Sequence, residues 1–318
     1  MAVVSLKLSP WPSLPLITSF LSYGDRASDA ALAKRVPPGI AARHDIAYGD
    51  SQDEVLDLYY REGAPARPPI VWIHGGAFVA GTKSGVANYL KILASHGYTT
   101  IAVEYSKGPG MTYPKPVEQV NAALGFIVHH TAALNIDRPA ILLAGDSAGA
   151  HIAGQLALIT TDPAYARAMG IVPQLQPSQL AALLLLSGVY APVELNLGGV
   201  YGWFNETVLT AYSGTSRFRD DQRFKLTSIP HYVTSAFPQT FISSGNGDPL
   251  APQAAALAGE LRDAGVHVDS LFFPANREPR LKHEYQFNLD EAAGQQVLRR
   301  MCAFLDATLS NQSRPSIP

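Results

Sequence analysis

Along most of the chain, short continuous apolar blocks alternate with longer stretches whose apolar positions recur every three or four residues. The short blocks predict strands at 45–48, 55–60, 70–74, 99–105, 140–144, 182–187, 240–243 and 266–273. The longer stretches predict helices at 86–96, 117–133, 148–160, 252–264 and 291–309. Strands and helices that take turns in this way build an α/β fold, a mostly parallel eight-stranded sheet flanked by helices. Runs such as Ile141-Leu142-Leu143-Ala144 and Leu183-Leu184-Leu185-Leu186 suit such a sheet, because a strand covered on both faces has no polar side. Gly97 and Gly265 stand where a helix must stop before the next strand, a position that favours a left-handed residue.

Two regions break the rhythm. Residues 190–238 are rich in turn residues and aromatics, among them Tyr201, Trp203, Phe204, Tyr212, Phe218 and Phe224. A long insertion between two strands is expected to be a lid or binding segment; the alternative is a surface excursion that fills its own small core. Residues 1–44 read as an N-terminal arm or cap. Pro10, Pro12 and Pro15 interrupt its apolar run before it reaches the length of a signal-peptide core, which leaves export as the alternative to a cytoplasmic location. The layout expected is therefore an arm (1–44), one α/β domain (45–310) and a disordered tail (311–318).

Composition narrows the function. The 318 residues are 47% hydrophobic, with 24 Lys and Arg against 26 Asp and Glu, a formal net charge of −2. No basic block offers a footprint for nucleic acid, so no nucleic-acid partner is expected. No stretch supplies the roughly 20 apolar residues of a membrane-spanning helix. Cys302 is the single cysteine and falls on the apolar face of the last helix, which excludes an internal disulfide and suits a structural thiol. No metal-binding spacing and no cofactor motif is present. The stretch from Gly76 to Ser84 approaches a phosphate loop, but Thr82 separates Gly81 from Lys83 and the spacing fails.

The chemistry-bearing residues fall at strand ends. Gly145-Asp146-Ser147-Ala148-Gly149 matches G-x-S-x-G between a predicted strand and a predicted helix, the context of a nucleophile elbow. The tight turn lifts the Ser147 hydroxyl above the sheet edge, and the helix N-terminus offers free N–H groups to a developing oxyanion. His74-Gly75-Gly76 follows the strand at 70–74, so Gly75, Gly76 and Ala148 are the expected oxyanion-hole donors. His74 precedes the serine, against the order Ser, acid, His, and is assigned a structural role in the loop. Asp248 follows the strand at 240–243 and is the expected acid; an ordinary helix N-cap is its alternative. His283 alone lies between the final strand and the last helix and is the expected base. His151, one helical turn beyond Ser147, is expected to pack behind the elbow.

Together these motifs resemble the hormone-sensitive-lipase-like branch of the α/β-hydrolases, over roughly residues 45–310. The stretch from Ser147 to His151 is also similar to feruloyl-esterase-like and kynurenine-formamidase-like relatives. The resemblance implies a serine carboxylesterase with Ser147, Asp248 and His283 as its triad, acting on a small-molecule ester without cofactor. Two departures stand out. Glu104-Tyr105-Ser106-Lys107-Gly108-Pro109-Gly110 replaces the branch's usual Tyr-Arg-Leu-Ala-Pro-Glu, and Glu284-Tyr285 follows His283 where Gly-Phe is usual. An amidase or arylformamidase would use the same residues, and a binding protein on an inactive hydrolase scaffold is the reading from another class. The sequence leaves the oligomeric state open, a homodimer included.

Overall fold

Eight strands form one sheet in the order β1-β2-β4-β3-β5-β6-β7-β8. They are β1 (Ile40–Ala47), β2 (Val55–Arg61), β3 (Ile70–Ile73), β4 (Thr100–Val103), β5 (Ile141–Asp146), β6 (Leu180–Leu186), β7 (Thr240–Ser244) and β8 (Val268–Phe272). Strand β2 runs antiparallel to both its neighbours, and every pair from β4 to β8 is parallel. The computed structural model describes residues 12–64, 67–136, 140–199 and 201–312.

The helices are α1 (Leu14–Leu32), α2 (Ala87–Ser95), α3 (Lys115–His129), α4 (Ser147–Thr161), α5 (Pro163–Met169), α6 (Gly202–Ser213), α7 (Ala251–Asp263) and α8 (Ala292–Gln312). Alternate strand residues feed opposite cores. Val71, Ile73, Leu143, Leu183 and Leu185 pack with α3, α4 and α7. Trp72, Leu142, Ala144, Leu184 and Leu186 pack with α2 and α8 on the other face. This is why β5 and β6 are apolar at consecutive positions: all thirteen of their residues are buried. Cys302 lies half-buried against the second core, and burial pushes its thiol up to about 12, as expected of an unreactive packing residue.

Helix α1 was not expected. Pro15 reads as a breaker in sequence, yet it sits in the first turn, where a missing N–H removes no intrahelical bond. Leu14, Ile17 and Leu32 bury one side of this helix, and the Asp29 carboxylate accepts hydrogen bonds from Asn88 N (2.7 Å) and Nδ2 (2.8 Å) at the start of α2. Strand β1 begins at Ile40, inside the segment read as an arm. The residues before Pro12 and after Gln312 lie outside the described residues, and with them most of the expected tail. Among the described residues no helix is long and apolar enough to cross a membrane.

Candidate active site

The parallel strands point their carboxyl ends to one edge, where the loops after β3, β5, β7 and β8 meet. Ser147 begins α4 directly after β5 with φ of +49°, a left-handed conformation uncommon for a residue with a side chain. The motif's glycines are required by close approach. A Cβ on Gly149 would overlap the Ile73 carbonyl oxygen, and one on Gly145 would press on the backbone of Gly149 and Ala150.

Three residues far apart in sequence converge here. Ser147 Oγ lies 3.0 Å from His283 Nε2, and His283 Nδ1 lies 2.9 Å from Asp248 Oδ2. Asp248 is buried, accepts the Ser244 hydroxyl (2.9 Å) and the Leu250 N–H (2.8 Å), and so presents a fixed oxygen to the ring. Burial works to raise its pKa, but the His283 bond and charge and these two donors outweigh it and hold the carboxyl below the usual range. Burial likewise pulls His283 down. The Asp248 hydrogen bond and the charges of Glu284, Asp248 and Asp146 overcome that and raise the ring to about 9.

The loop after β3 is held by the histidine that precedes the glycines. His74 is buried, stacks on Tyr105 (centroids 4.4 Å apart), donates from Nδ1 to the Gly75 carbonyl (2.8 Å) and lies 3.3 Å from Glu104 Oε1 through Nε2. Gly75 is a correction to the sequence reading. Its N–H donates to Asp146 Oδ2 at 2.8 Å and is not available to an oxyanion. Gly76 and Ala77 are left-handed at φ +111° and +54°, line the pocket, and among the described residues their N–H groups meet no acceptor. Ala148 N–H is free as the second residue of α4. The available amides are therefore those of Gly76, Ala77 and Ala148.

His151 faces away from this chemistry. It is fully buried, contacts the Val189 carbonyl through Nδ1 (2.9 Å), and burial lowers it to about 4, so it is neutral at ordinary pH.

A cavity of about 800 Å³ opens over Ser147. Much of its wall comes from the two regions that broke the sequence rhythm, with Phe78, Val189, Pro249 and Leu250 completing it. Leu21 and Asp25 belong to α1, and Leu195, Tyr201, Phe204, Val208 and Leu209 belong to the 190–238 insertion. Sequence reasoning missed three carboxyls on this site: Asp25, Asp146 and Glu284. Glu284 carried a signal, since it stands where the resemblance expects glycine. Asp25 carried none, because nothing in sequence brings α1 to the sheet edge. Burial, then the charge of Asp146, raises Asp25 to about 6. Among the described residues no group of side chains has the make-up to hold a metal ion.

The sheet order, the elbow and the loops at one edge define an α/β-hydrolase. The chain belongs to the BD-FAE family, whose model matches residues 56–261. It is 30% identical to esterase LipQ of Mycobacterium tuberculosis (strain ATCC 25618 / H37Rv) over 237 residues, 71% of this chain and 54% of that protein. It is 27% identical to an acetyl esterase of Salmonella choleraesuis (strain SC-B67) over 263 residues, 79% of this chain and 76% of the relative. The chain thus spans about half the length of LipQ, while it spans most of the acetyl esterase. Inhibited esterase B from Lactobacillus rhamnosis superposes with a TM-score of 0.81 at 22% identity, covering 95% of this chain and 97% of that one. A bacterial heroin esterase superposes at 0.71 with 24% identity, covering 94% and 93%. At these identities the structural likeness concerns the fold.

Proposed function

We infer that the protein is a serine carboxylic-ester hydrolase that works through an acyl-enzyme. The observation that carries this reading is the chain of contacts Ser147 Oγ–His283 Nε2–Asp248, with both links at or under 3.0 Å. His283 takes the hydroxyl proton as Ser147 Oγ bonds to the ester carbonyl carbon. The oxyanion that forms faces the N–H groups of Gly76, Ala77 and Ala148, each donor worth roughly 3 kcal/mol of transition-state stabilisation. The carbonyl re-forms, the bond to the alcohol oxygen breaks, and His283 returns the proton to that oxygen. Water then attacks the acyl-enzyme with the same base and frees the acid. The relatives named as esterases support an ester over an amide. The apolar insertion residues around the 800 Å³ cavity support a small to medium apolar or aromatic ester, with the 190–238 segment as its lid.

An active-site phosphonate tests this directly. Mass spectrometry should find one adduct, on Ser147. Aryl esters of graded acyl length, assayed from pH 7 to 10 beside an N-formyl aromatic amine, should be cleaved in preference to the amide. Ser147→Ala should lower kcat by at least about 10⁴-fold. Absence of the adduct, or undiminished turnover in the variant, sinks the mechanism; faster turnover of the formamide transfers the chemistry to an amide.

A further inference from the structure

We propose that Glu284 is a positioning residue for His283, a second carboxylate that holds the Nε2 edge of the ring as Asp248 holds the Nδ1 edge. The proposal rests on the acyl-transfer reading above. Glu284 Oε1 lies 3.7 Å from His283 Nε2, the nitrogen that also faces Ser147 Oγ at 3.0 Å. Once the serine proton reaches Nε2, the imidazolium lies between two carboxyls. Glu284 then faces the N–H that must next be handed to the leaving alcohol.

The surroundings are built to keep Glu284 there. Its backbone is left-handed (φ 57°, ψ 33°), a conformation that costs a residue with a side chain about 1–2 kcal/mol. Its N–H donates to Ser187 Oγ at 3.2 Å, and Ser187 is itself left-handed at φ +49°. Its carboxyl is hydrogen-bonded to Asp146. Asp146 stands at the N-cap of α4 yet does not cap it. Instead its oxygens accept the indole N–H of Trp72 (2.6 Å) and the N–H of Gly75 (2.8 Å). Gly75 makes room for the pair: a Cβ there would overlap Asp146 Oδ2 and come within 2.9 Å of Glu284 Oε1. Elbow, oxyanion loop and histidine turn are thus joined through two carboxyls in contact, both raised above the ordinary range first by burial. Two such groups share one proton and keep about one negative charge beside the ring.

The charged groups around His283 are Asp248 after β7, Asp146 at the head of α4, Glu284 and exposed Lys282 beside it in the chain, and Asp25 of α1 next to Glu284. His283 is a base only when neutral, and its pKa is raised, so activity should be lost as pH falls through about 9. A glutamine at 284 keeps a hydrogen bond to Asp146 and leaves the pair's one negative charge on Asp146, farther from Nε2 than the 3.7 Å of Glu284. Tying the loops together would survive that change; holding the imidazolium would not.

The test is the pH profile of kcat/KM for an aryl ester, paired with an NMR titration of the His283 ring in the ligand-free protein. In Glu284→Gln both transitions should move to lower pH by about one unit. Glu284→Asp, which restores a carboxylate, should return them toward the alkaline value. An unmoved ring titration in Glu284→Gln overturns the proposal. So does a wild-type ring that titrates near the unperturbed value of about 6.5, whether or not a variant folds. The NMR arm needs no turnover. A protein whose Ser147 fails to label while its ring still responds to Glu284→Gln has lost the esterase reading and kept the electrostatic one.

Discussion

The loops at the sheet edge and the walls above them are made in different ways. At the edge, backbone fixes the reacting atoms. Ser147, Gly76, Ala77 and Glu284 are all left-handed, and Gly149 packs against a strand carbonyl where no side chain fits. The walls are side chains packed on side chains. Behind the lining residues, Tyr212 of α6 stacks on Phe78 of the loop after β3 at 3.9 Å, and Phe224 meets both Tyr113 and Tyr212 edge-on. Backbone constraint admits few alternatives, whereas an aromatic wall can be rebuilt with other residues of similar volume. On the proposed function, reaction type belongs to the edge and substrate preference to the walls, and the two should respond separately to mutation.

The largest expected effect lies at the edge. Asp248→Asn keeps the volume of a buried side chain but offers an amide N–H to His283 Nδ1 or forces the wrong ring tautomer. We expect kcat for an aryl ester to fall about 10⁴-fold. Circular dichroism should be unchanged, since the Leu250 N–H keeps a carbonyl oxygen to bond and the Ser244 hydroxyl can turn to accept from the new amide. A loss of less than tenfold would mean that the ring needs no carboxylate and would remove the difference between edge and walls. Next in size is Gly149→Ala. The added methyl must displace the Ile73 and His74 carbonyls at the junction of β3 and α4, which should cost about 3 kcal/mol in urea unfolding. An unfolding midpoint equal to wild type would show that the elbow has slack the glycine does not reveal.

The same division explains what could be read from sequence. The central strands β3 to β7 were legible because each lies between two cores and is buried throughout, whereas edge strand β1, mostly exposed and carrying Arg43, His44 and Asp45, was caught only at its end. Strand ends shifted by a few residues, since pairing rather than apolarity sets where a strand stops. The elbow and its partners Asp248 and His283 were legible because their positions follow from strand order. Helix α1 was not, because its prolines look like breakers until Pro15 is placed in a first turn. Its role as a pocket wall was hidden for a second reason: Leu21 and Asp25 reach the site only through tertiary packing. Gly75 was read as an oxyanion donor from the pattern of glycines alone. Its true requirement, space for Asp146 and Glu284, depends on a residue more than two hundred positions away.

The smallest effect tests the walls. Phe204 lines the pocket and is only half-buried, so truncating it should disturb the fold little. If the insertion selects the substrate, Phe204→Ala should lower kcat/KM for a bulky aryl or long-acyl ester by about tenfold, the scale of a few lost apolar contacts. An acetyl ester, too short to fill the cavity, should be turned over at nearly the wild-type rate. The pH profile should stay where it is, because none of the carboxyls around His283 has moved. Equal losses for long and short esters would mean that the insertion acts on the chemistry itself, through the Tyr212–Phe78 stack onto the oxyanion loop. In that case walls and edge would form one unit, and substrate preference would have to be sought on α1 instead.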